Sequence, residues 1–147
     1  MTSPWSGLRP VTGDEIETFW RDGVVCLRAI MPEAWLDLLA DAVERYLHSK
    51  AAFSLSDFGG APTTGRKRKG HFYGGTDHWK TDEACRRFAC ESPLPGIAGQ
   101  LLRASRINLY EDSILVKEPG ATDKTAFHQD LSYFHVEGTQ ICTTWVP

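Results

Sequence analysis

No stretch of the 147 residues approaches the ~20 consecutive apolar positions that a membrane-spanning helix requires. The N-terminus has no basic region followed by an apolar run, so no secretory signal is expected. These absences predict a soluble, cytoplasmic protein without a membrane partner. Positive charge is also scarce. The 16 Lys and Arg against 19 Asp and Glu leave a formal net charge of −3, whereas a general nucleic-acid binder is normally basic. No nucleic-acid partner is expected. Cysteine is limited to Cys26, Cys85, Cys90 and Cys142, whose spacing fits neither a disulfide framework nor a zinc ribbon. They read as four reduced thiols, mostly buried as small apolar groups. Internal repeats and low-complexity tracts are missing too. What remains is an ordinary globular composition, 41% hydrophobic and 24% charged, long enough for one compact domain with its own core.

Thr12-Gly-Asp-Glu15 has the form of a capping box. Ile16, Phe19 and Trp20 then fall on one face of a short helix that Gly23 terminates. Val24–Leu27 reads as a short strand. A second helix starts near Pro32, with Leu36, Leu39, Ala40, Val43, Tyr46 and Leu47 as its core stripe. From Ala51 to about Asp82 periodicity disappears among glycines, and connections that long are usually functional lids or disordered. Helices are expected again over Glu83–Ala89 and Gly96–Arg103. Alternation then takes over from Arg106 to Lys117, with a break near Glu111-Asp112, and Ala126–Asp130 and Gln140–Val146 are the last strand candidates. Helices first and strands last predict an α+β fold.

His128-Gln129-Asp130 carries the clearest chemistry. On an extended backbone residues i and i+2 point to the same side, so His128 and Asp130 project together and Gln129 points away. An imidazole, a carboxylate and one further imidazole make the facial triad that holds non-haem Fe(II) and leaves three positions open. The pair alone is weak evidence, because HxD occurs by chance and a histidine among aromatics is more often a satisfied, half-buried side chain.

The surroundings bear on that choice. Phe19-Trp20-Arg21-Asp22-Gly23-Val24-Val25, Ile114-Leu115-Val116-Lys117-Glu118-Pro119-Gly120, His128-Gln129-Asp130 with Tyr133, and Trp145-Val146-Pro147 occur in this order. Together they resemble the phytanoyl-CoA dioxygenase family of Fe(II)/2-oxoglutarate-dependent oxygenases. The resemblance implies a double-stranded β-helix, a jelly-roll or cupin-like barrel, behind N-terminal helices. On that view residues 1–147 form one oxygenase domain: a helical part over about 12–104, a lid-like loop over about 51–82, and barrel strands over about 105–147. It also implies Fe(II), 2-oxoglutarate as cosubstrate and dioxygen, with His128 and Asp130 as metal ligands and a small molecule as substrate. Because Asp130 keeps its carboxylate, hydroxylation is the implied outcome rather than halogenation. Lys117 has two readings, a strand lysine reaching solvent or a 2-oxoglutarate contact inside the barrel. Trp145 is either core or a wall of the same pocket, and Gln129 lies next to the ligands. Phe134 and Tyr133 are candidate walls of the substrate site, and the Phe134-His135 step resembles that of the ectoine hydroxylase branch.

Arg66-Lys67-Arg68-Lys69 reads first as a solvated loop. As a glycine-hinged lid, followed by His71 and Tyr73 as substrate contacts, it would instead favour an anionic substrate. The resemblance further implies a distal histidine and a 2-oxoglutarate-anchoring arginine beyond the tryptophan strand. The expectation is therefore an N-terminal portion of a larger oxygenase. Two other classes stand beside it: a non-catalytic remnant kept as an interaction module, and a cupin-like binding or zinc protein.

Overall fold

The computed structural model describes residues 7–58 and 69–147. Arg66, Lys67 and Arg68 of the basic run, and the centre of the lid-like loop, lie outside the described residues. Helix α1 (Gly13–Asp22) begins on the expected capping box. The Glu15 N–H donates to Thr12 Oγ1 at 3.2 Å, and the Thr12 N–H donates to the Glu15 carboxylate at 2.9 Å. Arg9 grips the same carboxylate with two further bonds of 2.7 and 2.9 Å. These bonds, Arg9 foremost and the Thr12 N–H second, hold Glu15 down to about 2 from its ordinary 4.5. Gly23 closes the helix at φ 75, a left-handed conformation that glycine adopts without a Cβ clash.

Helix α2 (Glu33–Leu47) follows Pro32, whose φ of −61 suits the entry to a helix. Its inward face differs from the predicted stripe. Ala42 and Tyr46 are buried with Leu38, Val43 and Leu47 beside them, while Leu36 and Ala40 are exposed. Two stripes overlap on this helix, and close packing selects the one carrying a small residue. Ala42 meets the equally small Ala84 and Cys85 of helix α4 (Glu83–Glu91), letting the two helices approach. Asp82 caps α4 by accepting from the Ala84 and Cys85 N–H groups at 2.8 and 3.1 Å, and it pairs with Arg45 of α2 at 3.0 Å. Helix α3 (Leu55–Phe58) is a single turn. Helix α5 (Leu94–Leu102) packs against α4 and α1. A second core of Val11, Ile30, Ile97 and Leu101, flanked by Ile16, Phe19, Val25 and Leu27, joins α1 to α5.

The sheet consists of β1 (Phe72–Thr76) and β2 (Ser113–Lys117), antiparallel, with Gly74 opposite Leu115 and Phe72 opposite Lys117. Strand β1 lies inside the stretch that the sequence marks as aperiodic, because Gly74 and Gly75 imitate a loop. The packing explains both glycines. A Cβ on Gly74 would stand 2.5 Å from Leu55 Cδ1, and one on Gly75 2.9 Å from His78 Nε2 and 3.1 Å from the Tyr46 hydroxyl. The Tyr46 hydroxyl donates to Gly74 O at 2.9 Å and accepts from the Phe53 N–H at 3.1 Å, fastening the sheet to α2.

Four predicted strand segments require correction. Val24–Leu27, Arg106 to Asp112, Ala126–Asp130 and Gln140–Val146 belong to no strand, and β1–β2 is the only named sheet among the described residues. A strand exists through a neighbouring backbone that takes its N–H and C=O groups. Val24–Leu27 illustrates the difference: Val25 and Leu27 turn into the core and Val24 and Cys26 turn outward, so the alternation is real while the pairing is missing. Asp130–Tyr133 forms a short 3-10 turn instead. The α+β class stands, but no barrel is formed by the described residues. None of their helices is long and apolar enough to cross a membrane. The expectation of mostly buried thiols also needs amendment, since Cys26 is exposed, Cys85 is buried, and Cys90 and Cys142 are half-buried.

Two predictions follow from these joints. Tyr46→Phe deletes two main-chain hydrogen bonds and should cost about 1–2 kcal/mol, read from urea midpoints. Glu15 contributes its full stability above its unfolded value of 4.5, and loses it as pH falls towards its folded value of about 2. Glu15→Ala should thus lower thermal stability by about 1 kcal/mol at pH 7, with the gap to the parent narrowing from pH 4.5 to pH 2.

Candidate metal centre

The chain leaves β2 through a turn in which the Ala121 N–H donates to Glu118 O at 3.0 Å, with Gly120 at φ 88. A glycine of positive φ following proline is the type II arrangement. Two side-chain tethers then hold the descending loop. Ser56, buried at 3% exposure, donates from its hydroxyl to Asp123 Oδ2 at 2.8 Å and accepts from the Phe72 N–H at 2.8 Å. Lys117 Nζ donates to Thr125 Oγ1 at 3.0 Å and lies 4.8 Å from the centre of the Phe72 ring. The loop arrives at Ala126 with both ends of its path fixed to the sheet.

His128 and Asp130 meet there as predicted. His128 Nε2 lies 3.2 Å from Asp130 Oδ1, with the two side chains 33% and 43% exposed. The other ring nitrogen, Nδ1, is 2.7 Å from the Ala126 carbonyl oxygen. A carbonyl only accepts, so Nδ1 carries the hydrogen, and in the neutral ring the lone pair is on Nε2, facing the carboxylate. Two acceptors aimed at one another at this distance require a proton or a cation between them. Ligands bound at about 2.1 Å in neighbouring positions of an octahedron stand about 3.0 Å apart, close to the observed separation. The pair therefore fits two sites of a divalent cation with mixed nitrogen and oxygen preference. No group of three His, Cys, Asp or Glu suited to a metal occurs among the described residues.

Tyr133 sets its ring edge-on to His128, with centroids 5.4 Å apart at 76°. A cavity of about 480 Å³ opens beside the pair. Its walls are His128, Gln129, Asp130, Leu131 and Phe134 on one side, and Ile141, Cys142 and Thr143 on another. Phe19 and Gly23, from the end of α1, complete the lining. Burial pushes the Cys142 thiol above its ordinary range. Gln129 also borders the cavity, where the chain passes from extended backbone (φ −112) into the 3-10 segment at Asp130.

The remaining candidates scatter. Lys117 reaches Thr125 and does not line the cavity. Trp145 is 81% exposed, which overturns its reading as core. His71 and Tyr73 also lie away from the cavity. Tyr73 packs against the Tyr46–Ile114 cluster on the helix side of the sheet, and the His71 ring stands 5.8 Å from it. Sequence reasoning passed over Phe19, Gly23 and the 141–143 segment as cavity residues. No local signal marks them, since only the tertiary return of the chain brings them to His128.

A sequence profile of the phytanoyl-CoA dioxygenase (PhyH) family matches residues 19–147. The chain belongs to the phytanoyl-CoA dioxygenase family. Comparison with curated proteins and with solved structures gave no match. The family is Fe(II)- and 2-oxoglutarate-dependent at large, and an imidazole and a carboxylate are donor types that suit such a metal. The matched stretch begins at Phe19, the α1 residue that reaches the cavity, and includes both candidate ligands.

His128→Ala removes one donor from a partly exposed position and should leave the fold intact. Mn(II) affinity, followed by electron paramagnetic resonance, should fall by at least about tenfold, while the melting temperature stays within about 2 °C of the parent.

Proposed function

We propose that this protein is an Fe(II)- and 2-oxoglutarate-dependent hydroxylase of a small organic substrate, releasing succinate and carbon dioxide. The observation that carries the reading is the imidazole–carboxylate pair at 3.2 Å, its ring oriented by the Ala126 carbonyl, in a chain of this family. His128 Nε2 and Asp130 would hold the iron, with a third ligand from outside the described residues. The double-stranded β-helix of the family is the fold proposed to surround them, with β1 and β2 as part of it.

Bound iron and 2-oxoglutarate supply the oxidative chemistry, in which one atom of dioxygen enters the substrate hydroxyl and the other enters succinate. The chain's own residues bind and orient. Ala126 keeps the Nδ1 proton in place, so Nε2 remains the donor atom throughout. Phe19, Leu131 and Phe134 offer an apolar wall that limits water beside the pair, while Gln129 offers an amide for the cosubstrate or substrate. Lys117 is proposed as a 2-oxoglutarate contact that would exchange its Thr125 bond for a carboxylate. Trp145 is proposed as a wall of the same pocket and Tyr133 as a substrate contact. The basic run at 66–69 supports an anionic substrate.

The test is succinate formation from 2-oxoglutarate by the intact protein that carries this chain, with Fe(II), ascorbate and a panel of anionic and neutral candidate substrates. The parent should turn over, and His128→Ala and Asp130→Ala should each lose about two orders of magnitude or more. Metal binding without succinate under every condition would favour a binding module. Turnover retained in His128→Ala would remove the metal assignment.

A further inference from the structure

The short turn that carries Asp130 has few attachments of its own. Asp130–Tyr133 closes through the Ser132 N–H on Gln129 O at 3.1 Å and the Phe134 N–H on Leu131 O at 3.2 Å. The Ser132 hydroxyl also donates to Gln129 O. Every one of these bonds is internal to the segment, so none fixes the turn relative to the rest of the molecule. An isolated turn of this length is marginal in water.

Among the described residues an external attachment comes from Tyr110, in the unpaired approach to β2. Its ring packs against that of Phe134 in a tilted contact, with centroids 4.9 Å apart at 49°. Its hydroxyl oxygen accepts the His135 N–H at 3.2 Å. One side chain therefore makes two different bonds to consecutive residues, immediately after the turn. A ring contact alone leaves rotation about the contact axis free, and a single hydrogen bond leaves tilt free. Together they fix both.

The fixed end then bears on the pair. Phe134 is a cavity wall, and Tyr133 lies edge-on to His128. Asp130 begins the same turn, with its Oδ1 at 3.2 Å from Nε2. We infer that Tyr110 is a positioning residue for the metal pair: its ring and hydroxyl clamp Phe134 and His135, and so set the separation of His128 and Asp130. This rests on the proposed function only in calling the pair a metal site; the clamp itself stands on Tyr110's own contacts. Tyr110 touches neither donor atom, and its effect passes through the turn. Residues that orient ligands from behind commonly change metal affinity by about 10–100-fold when removed.

The experiment compares Mn(II) affinity, by electron paramagnetic resonance, in the parent, Tyr110→Ala, Tyr110→Phe and Tyr46→Phe. Tyr46→Phe is the stability control, because it weakens the joint between α2 and the sheet without touching the turn. Tyr110→Ala should bind Mn(II) about tenfold more weakly. Tyr110→Phe keeps the ring contact and loses the acceptor, so it should recover part of that loss. Tyr46→Phe should melt earlier yet bind as the parent does. Parent-like affinity in Tyr110→Ala, or a loss in Tyr46→Phe equal to that in Tyr110→Ala, overturns the inference.

A metal-free readout separates this from the oxygenase reading. In the parent, amide exchange at His135 should be slow and a nuclear Overhauser effect should join the Tyr133 and His128 rings. Both should be lost in Tyr110→Ala. If the parent binds no Mn(II) but these signals behave so, the clamp stands and the metal reading falls. If they persist in Tyr110→Ala, the clamp falls whatever the metal does.

Discussion

The Ala126 carbonyl orients the imidazole around which the candidate site is built. By taking the hydrogen on His128 Nδ1 it turns Nε2 towards Asp130, and the backbone curve at Gln129 brings an Asp130 oxygen to the same point. With the ring neutral, two acceptors face one another; a proton on Nε2 makes them an ion pair, and a cation between them would make them ligands.

Holding the pair is the work of the rest of the chain. The helices supply two small cores, one of which packs on the sheet through Tyr73, Ile114 and Val116, and the Tyr46 hydroxyl bonds α2 to β1. The sheet in turn provides Lys117 and the Phe72 N–H, through Ser56, as anchors for the loop that descends to Ala126. Gln140 ties the segment beyond the pair to α5, its amide donating to Leu102 O at 2.8 Å. The site is thus suspended between the sheet on one side and α1 and α5 on the other.

Much of this was legible in advance where the signal was local. The capping box at Thr12, the glycine stop at Gly23, the helices around Glu83 and Gly96, and the same-side projection of His128 and Asp130 depend on neighbours a few residues away. Features that depend on distant partners were misread. Gly74-Gly75 resembles a loop unless Leu55, His78 and Tyr46 are known to press on it. The stripe on α2 could be phased only by knowing that α4 offers Ala84 and Cys85. Alternating segments such as Val24–Leu27 carry the pattern of a strand without a neighbour to pair with. The cavity lining from Phe19 and Ile141–Thr143 has no sequence mark whatever, because chain segments more than a hundred residues apart converge on it.

The uneven burial of the four thiols has a practical corollary. Cys85 sits in the α2–α4 contact, where burial first and the Asp82 and Asp112 carboxylates next push it up to about 12, and Cys142 is raised by burial as well. Thiolates are scarce at both positions at neutral pH, whereas Cys26 stands in solvent just past α1. A maleimide dye would settle there first. Cys26 thereby offers the unmodified protein a native, solvent-exposed attachment point, a few residues from Gly23 at the cavity rim, for an optical reporter of occupancy.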